Sequence, residues 1–72
     1  MIGIADCEAC RIAVTRVANL VAEVRHLGSP NAEAIANVTL AYRHLEDAAM
    51  RLGKAIQELE LATSVWKRPA NE

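Results

Sequence analysis

Apolar and polar positions along the chain fall into two long helical repeats separated by one break. In the first, Cys7, Cys10, Val14, Val17, Val21 and Val24 recur at three- and four-residue spacing, and Ala13, Leu20 and Leu27 widen that stripe on one side. Glu8, Arg11, Arg16, Glu23 and Arg25 lie mostly away from it. This is the pattern of an amphipathic helix with a broad apolar face. Valine is a mediocre helix former, so packing rather than propensity must hold the segment. Asp6 stands where a helix cap is needed. In the second repeat Ile35, Val38, Tyr42, Leu45, Ala49, Leu52, Ile56 and Leu59 follow the same spacing. Beside them Ala34, Ala41, Ala48, Ala55 and Ala62 recur every seven residues, a column small enough to let another helix approach closely. Leu40, Met50 and Leu61 lie outside both rows, so this helix is apolar over more surface than one short partner covers.

The break is Gly28-Ser29-Pro30-Asn31. Gly28 suits the left-handed residue that closes a helix. Ser29 can cap the next helix with Pro30 at its first position, where a missing N–H costs nothing. Glu33 then sits near the positive end of the helix dipole. No segment alternates apolar and polar residues between turns, so no strand is expected. The spacing predicts a helix over 6–27, a turn over 28–31, a helix over 32–63 and a tail over 64–72. The fold class is all-α: an antiparallel two-helix hairpin with a longer second helix. At 1.5 Å per residue the first helix spans about 30 Å and the second about 48 Å. Leu52, Ile56 and Leu59 are therefore expected to overhang, face water in a lone chain, and pack on another copy. A helical homo-oligomer follows, with C2 pairing the commonest form.

Composition sharpens this picture. The chain has 72 residues, 53% of them apolar, with a formal charge of −1. That is one domain at most, too apolar for a disordered tail and too balanced in charge for a duplex DNA or RNA binder. A chain this short buries only about 60% of its unfolded surface, so association or a ligand is the usual remedy. No run of about 18 apolar residues is present to span a membrane. The first residues lack the basic and apolar regions of a signal peptide, so a cytoplasmic location with reduced cysteines is expected.

Few residues carry candidate chemistry. Cys7-Glu8-Ala9-Cys10 is a C-x-x-C motif without the preceding strand of a thioredoxin-like site. Zinc needs four ligands, which only two chains together could supply; otherwise both cysteines belong to the apolar stripe. His26 and His44 have no ligand-spaced partner, and His26 is expected on a solvated surface. No nucleophile motif, P-loop or dinucleotide glycine pattern is present, and Glu46 and Asp47 point in different directions on a helix. An enzyme is not expected, nor any cofactor or bound metal. The polar cluster of the second helix stands out: Tyr42, Arg43 and His44, then Glu46 and Asp47, then Arg51 and Lys54. It reads either as a solvated face with Arg43–Asp47 and Asp47–Arg51 ion pairs or as an anion site. In the second case Arg43, Arg51 and Lys54 hold phosphates, Tyr42 or Trp66 stacks on a base and Met50 fills the pocket. Trp66 alternatively extends the apolar row that ends at Leu59.

At this cluster the sequence resembles the signature helix of the phage anti-CBASS and Thoeris anti-defence sponge proteins, which share a helical hairpin domain. The resemblance covers about 17 residues, 40–56, and extends loosely over the hairpin layout. Leu40-Ala41 matches the family's apolar pair, Leu45-Glu46 its Leu-Glu, Ala48 its small residue, Met50 its Met, and Lys54 its closing basic residue. Where the family often has a basic residue followed by Thr, this chain has Tyr42 followed by Arg43, which moves the charge about 100° around the helix. Arg51 replaces an aromatic often found beside the Met. The resemblance implies a non-enzymatic homo-oligomer in the host bacterial cytoplasm that sequesters cyclic nucleotide immune signals without cleaving them. The ligands it implies are cyclic dinucleotides, cyclic trinucleotides or cyclic ADP-ribose isomers, held between protomers. On this reading Tyr42, Arg43, His44, Met50, Arg51 and Lys54 are the ligand-binding residues. The runner-up is a helical oligomerisation or protein-interaction module with no small ligand.

Overall fold

A computed structural model describes the backbone of residues 1–67 and the side chains of residues 1–62. It contains two helices, α1 (Ile4–Leu27) and α2 (Ala32–Lys67). They pack side by side as an antiparallel hairpin of 65 × 18 × 16 Å. Among the described residues there is no strand.

The helix ends are marked by hydrogen bonds to otherwise free backbone N–H groups. α1 begins two residues before the expected 6. Asp6 is not its cap but sits one turn in, where its carboxylate accepts the Gly3 N–H at 2.9 Å. Gly28 closes α1 with φ 73° and ψ 171°, and its N–H donates to the Arg25 carbonyl at 3.1 Å. At the start of α2 the cap is Asn31 and not Ser29: its Oδ1 accepts the Ala34 N–H at 3.1 Å. Ser29 Oγ instead accepts the Asn31 N–H at 3.0 Å, so Pro30 lies in the turn before the helix. The physical reason is competition between two capping residues. Asn caps at least as well as Ser, and Ser29 satisfies the turn only if the helix starts later. α2 continues to Lys67, four residues past the expected 63.

The seam between the helices takes the predicted row of α2. Ile35, Val38, Tyr42, Leu45, Ala49, Leu52 and Leu59 are half-buried, and Ile56 is buried. Thr39 also lies in the seam, its hydroxyl satisfied by the Ile35 carbonyl at 2.8 Å. On α1 the buried residues are Cys7 and Ala18, flanked by half-buried Ile4, Val14, Val21 and Ala22. Cys10, Val17 and Val24, expected in the same stripe, are exposed. α1 is apolar around more of its circumference than one neighbouring helix can cover. It turns the small residues Cys7 and Ala18 inward, where close approach is possible.

The expected overhang of Leu52, Ile56 and Leu59 is corrected by this register. A Cβ built on Gly53 lies 3.6 Å from the Arg11 guanidinium carbon, so these two residues stand opposite each other. Seven residues back from Arg11 is Ile4, and seven on from Gly53 is Glu60. α1 thus covers α2 to about residue 60. Ile56 is 7% exposed within a single chain, whereas Leu61, just beyond, is 62% exposed. The earlier start of α1 and the offset of the turn close the gap that helix lengths alone left open.

Candidate functional site

The predicted site residues divide between three rows of α2. Arg43, Asp47, Met50 and Lys54 follow one another at four-, three- and four-residue spacing, which places them on one helical face. Arg43, Met50 and Lys54 are exposed on it. His44 and Arg51, seven apart and exposed, form the neighbouring row. Tyr42 belongs to the row against α1 and is half-buried there. The structure therefore brings Arg43, Met50 and Lys54 together, sets His44 and Arg51 beside them, and turns Tyr42 toward the seam.

Electrostatically the cluster is open. Arg51 Nε approaches Asp47 Oδ1 at 3.9 Å, with the two side chains 72% and 61% exposed. Such a contact is long for a charge-assisted bond and contributes little in water. Among the described residues no ion pair holds Arg43 or Lys54. Their positions along α2 differ by about 16 Å, too far to share one phosphate. They suit an extended or multiply charged anion.

A further cation joins this face from the other helix. Arg11, on α1, lies over the backbone of Gly53. With Met50, Gly53, Lys54, Ile56, Gln57 and Glu60 it lines an open groove of about 410 Å³. Arg11 is exposed, and only its four- and three-residue spacing from Cys7 and Val14 sets it beside the seam; its place over Gly53 comes from the pairing of the two helices. That volume falls within the range of ligand sites, but the outer wall is solvent.

The remaining candidates stay apart from this groove. Cys7 is buried and Cys10 exposed, and both thiols are free. Among the described residues no group of three or more His, Cys, Asp or Glu is placed to hold a metal ion. His26 is exposed beside Ala22 and Arg25 at the turn. The reading of Trp66 as a packing residue or ligand cover falls on a side chain outside the described residues. Among the described residues no helix is long and apolar enough to cross a membrane.

No protein-family profile matches the chain, and neither a curated protein nor a solved structure is found to be similar to it.

Proposed function

We propose that the chain forms a homo-oligomer that binds cyclic nucleotide second messengers and holds them intact, in the manner of the phage sponge proteins that its second helix resembles. The observation that carries this reading is the grouping of Arg43, Met50 and Lys54 on one exposed face of α2, with Arg11 reaching the same side from α1. Arginine and lysine take the phosphates, through forked bonds at Arg43 and Arg11 and a point charge at Lys54. Methionine offers an adaptable apolar surface to a base or ribose. The groove is open on its outer side, so a second copy supplies the missing wall. His44 and Arg51 then stand at the rim. Tyr42 acts through packing unless the hairpin opens.

The mechanism is titration. A sponge keeps an effector silent when it outnumbers the messenger or binds it more tightly than the effector does. Retention, not turnover, is the activity. The alternative is an oligomerisation module with no small ligand. The exposed apolar row of α1, including Val17, Leu20, Val24 and Leu27, favours it.

Thermal shift with a panel of cyclic di- and trinucleotides and cyclic ADP-ribose isomers separates the two. Ligand at a hundredfold excess over its dissociation constant adds about 2.7 kcal/mol. Arg43→Ala and Lys54→Ala abolish the shift while leaving oligomer size unchanged. A panel without any shift supports the plain module.

A further inference from the structure

We infer that the outward face of α1 is the interface of an antiparallel C2 dimer with a second copy of this chain. The inference deepens the self-association part of the proposed function and stands without a nucleotide. The face is a second heptad row, Cys10, Ala13, Val17, Leu20, Val24 and Leu27, distinct from the row that packs on α2. All six residues are exposed, Leu20 at 59% and Leu27 at 83%. Three- and four-residue alternation maintained from Cys10 to Leu27 is the pattern of a helix–helix seam.

Three arguments identify the occupant as another copy. The first is charge. Arg16 and Glu23 flank the row on the side away from α2, seven residues apart, and among the described residues neither has an ion-pair partner. Pairing α1 with an antiparallel copy about the midpoint between Val17 and Leu20 places Val17 against Leu20 of the partner subunit. Val24 then meets Ala13 of the partner subunit, and Cys10 meets Leu27 of the partner subunit. The same register sets Arg16 beside Glu23 of the partner subunit, and the two-fold axis repeats that contact with the roles exchanged. An isologous interface must be self-complementary in this way, and opposite charges flanking such a seam set register and orientation. A parallel pairing sets Arg16 and Glu23 on the opposite flank of the seam from their copies and forms no such contact.

The second argument is the rest of the face. In an antiparallel hairpin of right-handed helices the outer row of α1 and the alanine column of α2 lie on the same side. The Arg11–Gly53 register puts the midpoint of the α1 row level with about residue 45, between Ala41 and Ala48. One axis across the face therefore relates both helices to their copies, with small side chains where α2 meets α2. The third argument is area. A face about 36 Å long and roughly 18 Å wide covers about 650 Å² per copy, or about 1,300 Å² per pair, within the range of stable interfaces. The groove of Arg11, Met50 and Lys54 lies on the opposite side of the hairpin, so the copy that walls it is a further one and not the α1 partner.

Thiol cross-linking tests the arrangement. In the dimer Cys10 stands opposite Leu27 of the partner subunit, and the two Cys10 thiols lie about 26 Å apart. Leu27→Cys treated with a short bismaleimide is expected to run as a covalent dimer on a denaturing gel, and the unsubstituted chain as a monomer. Arg16→Glu is expected to weaken the dimer roughly five- to tenfold by sedimentation equilibrium, and Arg16→Glu with Glu23→Arg to restore it. Circular dichroism verifies that each variant remains helical, as exposed positions allow. Failure of Leu27→Cys to cross-link, cross-linking of the unsubstituted chain through Cys10, or no rescue by the charge swap overturns the proposal. A nucleotide-induced thermal shift that persists alongside any of these leaves the proposed function intact and the interface wrong.

Discussion

Replacing Ile56 by alanine separates packing within one chain from packing between copies. Ile56 is 7% exposed in the lone hairpin, in the last turn of α2 that α1 covers. The substitution removes three buried carbon groups at about 0.8 kcal/mol each, close to 2.4 kcal/mol. A residual cavity adds to this, and partial closure of a two-helix seam keeps the total to about 2.5–3.5 kcal/mol. A chain of this length has about 4–11 kcal/mol in all, so the variant should lose between about a quarter and most of its stability. Leu61→Ala, beyond the reach of α1 at 62% exposure, should change stability by less than about 0.5 kcal/mol. Urea unfolding followed by circular dichroism, run at two protein concentrations tenfold apart, measures both. The Ile56 loss is expected at either concentration, because the lost contacts lie inside each copy. An Ile56→Ala variant within 0.5 kcal/mol of the parent, or a loss seen only where chains associate, refutes the register fixed by Arg11 and Gly53.

Other substitutions test the local devices. Gly28→Ala should destabilise by about 1–3 kcal/mol in the same urea assay, because φ 73° with ψ 171° is a region open essentially to glycine. Asn31→Ala should cost about 1 kcal/mol by removing the bond to the Ala34 N–H, and Ser29→Ala clearly less. Gly53→Ala should stabilise α2 by about 0.5–1 kcal/mol, since its added carbon meets Arg11 only at ordinary contact distance. Asp47→Ala should leave the melting temperature unchanged within error, because its contact with Arg51 is long and exposed.

The α2 seam was legible because its eight residues keep one strict spacing and no other row on that helix matches it in bulk. The α1 seam was less so. Its apolar residues extend around more than one face, and nothing in their spacing tells which face α2 takes. Ala18, the buried centre, is too small to stand out beside four valines. Helix lengths alone suggest an overhang because register depends on where each helix begins, and Gly3 and Asn31, rather than Asp6 and Ser29, hold the cap positions. Within the site, the shared face of Arg43, Met50 and Lys54 follows from spacing alone. Tyr42 belongs by spacing to the apolar row and by its ring to the ligand cluster, and the structure places it in the row. The spacing sets Arg11 mostly away from the apolar stripe, and its position over Gly53 emerges only from the pairing of the two helices.

Retention of ligand bears on the central claim most directly. The purified protein is dialysed to equilibrium against labelled cyclic di- and trinucleotides and cyclic ADP-ribose isomers, and whatever is retained is recovered after denaturation. At least one of these compounds should be concentrated by the parent chain, come back chemically intact, and be lost from Arg43→Ala and Lys54→Ala. Even partition of every compound across the membrane, or recovery of a cleaved product, contradicts the account.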